Sequence, residues 1–76
     1  ILKIPIKIKN LVNLEKLHIN HNKINQIPKE IKSLLKLNEL CLNDNQISII
    51  PIEIGNLIEL KRLDLSYNKI KILPVE

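Results

Sequence analysis

Residues 34–56 read LLKLNELCLNDNQISIIPIEIGN. The apolar positions in this stretch are Leu34, Leu37, Leu40, Leu42, Ile47, Ile50 and Ile54, with Asn45 and Pro51 set among them. That spacing fits neither a continuous helix nor a lone strand. Moving back by 23 residues finds Leu11, Leu14, Leu17, Ile19, Asn22, Ile24, Ile27, Pro28 and Ile31 at the same places. Moving forward by the same step finds Leu57, Leu60, Leu63, Leu65, Asn68, Ile70, Leu73 and Pro74. The opening obeys the register too, because Ile1, Ile4, Pro5 and Ile8 lie one period before Ile24, Ile27, Pro28 and Ile31. Self-similarity at this step implies units that cannot bury their apolar edge alone and do so by stacking.

Inside each unit two periods follow one another. The segment LEKLHIN alternates Leu17 and Ile19 with Lys16 and His18, which is the two-residue signature of a strand with one buried face. It predicts short strands over 16–18, 39–41 and 62–64, all running the same way in a parallel sheet with neighbours about 4.8 Å apart. After Ile27-Pro28 and Ile50-Pro51 the apolar step becomes three: Ile31 to Leu34, and Ile54 to Leu57. Proline is pre-organised for the first turn of a helix, so a single helical or tighter turn is expected on the return path. Gly55, the one glycine, falls near the end of such a turn or in a permissive loop. Val12, Leu35 and Ile58 are apolar in every unit, which predicts partial burial on a flank.

The units read LxxLxxLxLxxNxIxxIPxxIxx and resemble the leucine-rich repeat family, in the 23-residue class often found in intracellular and bacterial repeat proteins. The resemblance covers all 76 residues: a partial unit at 1–10, full units at 11–33 and 34–56, and a partial unit at 57–76. It implies an α/β fold, a right-handed β-α solenoid with a parallel concave sheet of short strands and short helical turns on the convex side. It also implies a scaffold for protein–protein recognition. In that family the asparagine after each strand points inward and hydrogen-bonds backbone of its own and the adjacent coil. Here those residues are Asn22, Asn45 and Asn68, and an amide suits the task because it offers both donors and an acceptor.

Composition narrows the function classes. A globular chain of this length buries only about 60 to 65% of its unfolded surface. Both ends fall inside the repeat pattern, so the expectation is a window from a longer array, or ends covered by something else. Cys41 is the single cysteine, which excludes an internal disulfide framework, and intracellular location is the expectation that follows. No apolar run is long enough to span a bilayer and no signal peptide is evident, so no membrane partner is expected. The net charge of +4 comes from lysines scattered singly, with Lys23, Lys69 and Lys71 falling just after the asparagines. Nucleic-acid binding wants clustered positive charge and aromatic platforms, and Tyr67 is the sole aromatic. No nucleic acid and no cofactor are expected.

Outward positions of the strands and the turns after them form four columns across the units. They are Lys16, Glu39 and Arg62; His18, Cys41 and Asp64; Asn20, Asn43 and Ser66; and His21, Asp44 and Tyr67. These vary while the aliphatic positions do not, which on a repeat scaffold marks a recognition surface for a protein partner. The blander alternative is a solvated face. His18, Cys41 and Asp64 are triad residue types, but Cys41 lies between the other two, so Asp64 cannot readily orient His18. His18, His21, Cys41, Asp44 and Asp64 are all metal-ligand types, yet none has a metal-motif spacing, and no metal is assigned. The expected role is therefore a non-catalytic recognition module. The alternatives are a targeting or regulatory segment of a larger enzyme, such as a ligase or kinase, or a structural spacer that self-associates through uncapped ends. A second apolar strip, Ile49 with Ile72 and Ile52 with Val75, forms an interface if exposed and packs against the neighbouring coil if not.

Overall fold

The computed structural model describes residues 3–71. Three strands, β1 (Lys16–His18), β2 (Glu39–Cys41) and β3 (Arg62–Asp64), form one parallel sheet in the order β1-β2-β3. The register pairs Leu17 with Leu40 and Leu40 with Leu63, one repeat period apart. The ladder continues past the strands: the Ile19 N–H donates to the Cys41 carbonyl and the Leu42 N–H to that of Asp64, each at 2.9 Å. The return path of each rung carries a 3-10 turn, at Ile6–Asn10, Lys29–Ser33 and Ile52–Asn56, and the three turns stack side by side opposite the sheet.

The three-residue step in the sequence is the pitch of that turn. The Ile31 N–H donates to the Pro28 carbonyl, Leu34 to Ile31 and Leu37 to Leu34, each at 3.1 Å. Bonds from i to i−3 give three residues per turn, so Ile31, Leu34 and Leu37 emerge on one face, and all three are fully buried. The predicted helical turn takes this tighter form, and the prolines sit just outside it. Pro5, Pro28 and Pro51 each precede the turn in extended geometry, with φ near −70° and ψ near 150° (Pro28: −73°, 153°). Each proline supplies the carbonyl that starts the turn, so its missing N–H costs nothing. Gly55 lies within the third turn and does not take a positive φ.

The core is an aliphatic ladder: Ile4, Ile8, Ile24, Ile27, Ile31, Leu34, Leu37, Leu40, Leu42, Ile47, Ile50 and Leu57 are buried. At the strands burial follows the presence of a rung on both sides, although Ile4, Ile8 and Leu57 are buried in the end rungs. Leu40 is inaccessible, whereas Leu17 is half-buried and Leu63 is 41% exposed at equivalent positions with one flanking rung each. Leu11 is likewise exposed although Leu34 and Leu57 are buried. The expected flank burial of Val12, Leu35 and Ile58 is not what forms. All three are exposed, Ile58 by 85%, because they sit at the corner between the 3-10 turn and the strand, with no element folded over them. Ile49 and Ile52 are exposed as well, while Ile72 and Val75 lie outside the described residues, as do Ile1, Leu73 and Pro74.

Where each strand ends the chain turns a corner and leaves buried backbone groups unpaired. Asn45, itself buried, fills that gap: its Oδ1 accepts from the Ile24 N–H at 3.1 Å, and its Nδ2 donates to the Ile19 and Leu42 carbonyls at 2.9 Å. Asn68 repeats the pattern one rung on, accepting from the Ile47 N–H at 3.0 Å and donating to Leu42 and Leu65 at 2.9 and 3.0 Å. Asn22 donates to the Asn20 carbonyl at 2.9 Å. The Asn45 and Asn68 amides therefore each span two rungs. Asn45→Ala orphans one donor and two acceptors, each worth about 1 to 3 kcal/mol when buried and unpaired, so we expect at least about 3 kcal/mol of lost stability in urea unfolding. A loss below about 1 kcal/mol means the asparagine does not tie the rungs together.

Candidate functional site

The strand residues that alternate with the core leucines present their side chains on the open face of the sheet. Because the strands are in register, like positions stand one rung apart, and four polar residues of the three rungs meet. His18 Nε2 lies 3.2 Å from Glu39 Oε2, Arg62 Nη1 lies 3.5 Å from Glu39 Oε1, and Arg62 Nη2 lies 3.8 Å from Asp64 Oδ2. Asp64 is held further by Ser66, whose Oγ–H and N–H both donate to Asp64 Oδ1, at 2.6 and 3.1 Å. This chain of contacts crosses all three strands and ties columns that were read separately in the sequence.

The network sets the protonation of its acids. Partial burial of Glu39 pushes its pKa up, but the hydrogen bond from His18 and the charges of Lys16, His18 and Arg62 outweigh it, so the net shift is downward. Asp64 is lowered first by the two hydrogen bonds from Ser66, against a desolvation cost and with help from Arg62.

Beyond the strands lies a rim. His21, Asp44 and Tyr67 occupy the same turn in successive rungs and all adopt left-handed backbone, with φ of 58°, 60° and 56°. Histidine and aspartate are among the residues that tolerate this region, but a tyrosine there carries a steric cost. His21 Nδ1 lies 2.7 Å from Asp44 Oδ2, joining two rungs, while Tyr67 is 83% exposed. Asn20 and Asn43 are half-buried beside the rim, and the Asn20 Oδ1 is buried with no hydrogen-bond partner among the described residues.

One column differs from its sequence reading. Cys41, placed there on the outward surface between His18 and Asp64, is only 3% exposed. It occupies the middle strand, with a neighbouring strand on each side, and its short side chain is covered there. The triad arrangement therefore lacks an accessible nucleophile. Among the described residues no three of His, Cys, Asp or Glu are grouped to hold a metal ion. No helix among them is long and apolar enough to cross a membrane. What periodicity could not find is the pairing of His18 with Glu39 and of Glu39 with Arg62. The only signal available was that these residues stand one period, or one period less two, apart.

Comparison with known proteins follows the same register. The family model described as Leucine Rich Repeat matches residues 13–34, 36–57 and 59–76. A leucine-rich repeat protein of Leptospira interrogans is similar in structure, with a TM-score of 0.88 and 45% identity over 91% of this chain and 18% of that one. A plant ice-binding protein is similar with a TM-score of 0.79 and 32% identity over 87% of this chain and 22% of that one. The chain thus spans about a fifth of the length of either structure. No functionally curated protein matches it.

Two measurements test this geometry. A carboxylate whose folded pKa is depressed adds stability at pH values above its unfolded pKa, and loses it as pH falls through the folded value. Glu39→Gln removes that contribution, so the variant should lose less stability than the parent when pH is lowered through the carboxylate range; equal acid limbs would show Glu39 is not held by its neighbours. Separately, Tyr67→Asn should raise stability by about 1 kcal/mol by relieving the left-handed backbone cost at a side chain with few contacts to lose. An unchanged or lower urea midpoint would show that no strain is stored there.

Proposed function

The chain belongs to the leucine-rich repeat family, and on that premise we propose that it is a non-catalytic recognition module that binds a protein partner through the open face of its sheet. The observation that carries this reading is the contrast between the two sides of each strand. Inward positions are uniformly Leu or Ile, whereas outward positions change from Lys16 to Glu39 to Arg62 and from His21 to Asp44 to Tyr67. A rigid backbone presenting a varied row of charged, polar and aromatic groups suits selective binding, because the scaffold is already ordered and few side chains need fixing on association. Arg62 and Tyr67 are of the types that most often anchor interfaces. Cys41, lying beneath the surface, is not a contact in this scheme. No nucleic acid or membrane partner is invoked.

A second reading, that this segment directs or regulates a larger enzyme, draws on the small share of the matched structures that the chain covers. Both readings use the same surface, and only the location of any chemistry differs.

The test is a partner capture with the intact chain, comparing substitutions on the two sides. Alanine at Lys16, His18 or Arg62 should weaken partner binding by about tenfold or more, the range of an interface anchor. Alanine at Lys29 or Lys32, on the 3-10 turns, should leave it unchanged. The reverse pattern would move recognition to the turn side and end the proposal.

A further inference from the structure

The rim column identifies the chemistry of one contact the partner must supply. Its members are placed by a repeated backbone hydrogen bond: the His21 N–H donates to the Asn43 carbonyl at 3.2 Å, and the Asp44 N–H to that of Ser66 at 2.9 Å. With matching positive φ values at all three residues, Tyr67 stands to Asp44 as Asp44 stands to His21. Side chains in this column reach one rung across, as the 2.7 Å contact between His21 and Asp44 demonstrates.

Of the acidic groups on this face, Glu39 is bracketed by Lys16, His18 and Arg62, and Asp64 by Ser66 and Arg62. Asp44 differs. Its Oδ2 meets His21 at 2.7 Å, but among the described residues no lysine or arginine pairs with it and its Oδ1 has no side-chain partner, and more than half of its side chain is open to solvent. Beside it stands Tyr67, which is almost fully exposed and occupies backbone geometry that disfavours its type. Packing does not compensate that cost, since the ring touches little of its own chain. Strain kept at an exposed position without a packing gain is the pattern of functional sites.

We propose that Asp44 and Tyr67 together receive a cationic side chain, best an arginine, from the bound protein segment. The carboxylate accepts hydrogen bonds from the guanidinium, and the phenol ring takes its flat face in a cation–π contact. Arginine suits the pair better than lysine because one planar group can hydrogen-bond at its edge while stacking through its face. The net charge of +4 opposes a cation at long range, but salt screens that repulsion beyond about 8 Å, so groups in contact decide. This inference rests on the recognition role proposed above and names the partner's chemistry at one point of it.

The test begins by selecting binders to the intact chain from a random peptide library. Selected peptides should be enriched in arginine, and replacing that arginine with citrulline, which keeps the shape and removes the charge, should weaken binding about tenfold. Tyr67 is the only aromatic residue, so its fluorescence reports directly on the site, and calorimetry serves for the variants. Asp44→Asn and Tyr67→Asn, both of which tolerate the left-handed backbone, should show the same loss; Tyr67→Phe, which keeps the ring, should retain binding. If citrulline peptides bind as well as arginine ones, or if binding survives both rim substitutions yet falls with Arg62→Ala, the cation receptor is wrong while recognition by the face stands. If no substitution on this face matters, both proposals fail together.

Discussion

The structure depends on an amide that belongs to two rungs at once. A chain that turns a corner inside a stacked solid strands backbone donors and acceptors where water cannot reach them. Asn45 and Asn68 satisfy groups of their own turn and of the preceding rung with a single side chain. Hydrophobic burial alone would hold the rungs together without specifying how they align. The asparagines set that alignment, because their donors and acceptor meet backbone partners only when successive rungs are in register.

Registration then determines the surface. Once Leu17, Leu40 and Leu63 align through the parallel sheet, the residues between them align on the opposite face. Three strands of three residues each are then enough to bring His18, Glu39, Arg62 and Asp64 into one connected set of charges. The individual ion pairs are exposed and contribute little to folding. Their consequence is electrostatic instead: Glu39 and Asp64 each meet neighbouring groups that lower their pKa, while at the rim Asp44 meets His21 alone and Tyr67 stands exposed. The same face thus separates into a densely paired centre and a more exposed rim.

Much of this architecture was legible before any coordinates. The strand limits, the direction of the sheet and the inward aliphatic positions all followed from a two-residue and a three-residue step repeated at a constant interval. Those steps are properties of the backbone: alternating sides in a strand, and three residues per turn in a 3-10 segment. Side-chain surroundings were less legible. Cys41 looked outward by parity yet lies covered, since parity says which face a residue is on and not how far its neighbours lean over it. Val12, Leu35 and Ile58 looked half-buried because they recur, yet they stand exposed at an uncovered corner.

What the sequence by itself determined is therefore the repeating frame. Period, strand positions, turn positions and the inward-facing positions are local consequences of where apolar residues, asparagines and prolines fall along the chain. Only the tertiary structure decided which positions are covered and which charges meet. Leu40 is inaccessible and Leu63 exposed despite identical places in the pattern, because one has a rung on both sides and the other on one. His18 meets Glu39 and His21 meets Asp44 because distances between rungs arise from stacking, and no single rung contains that information.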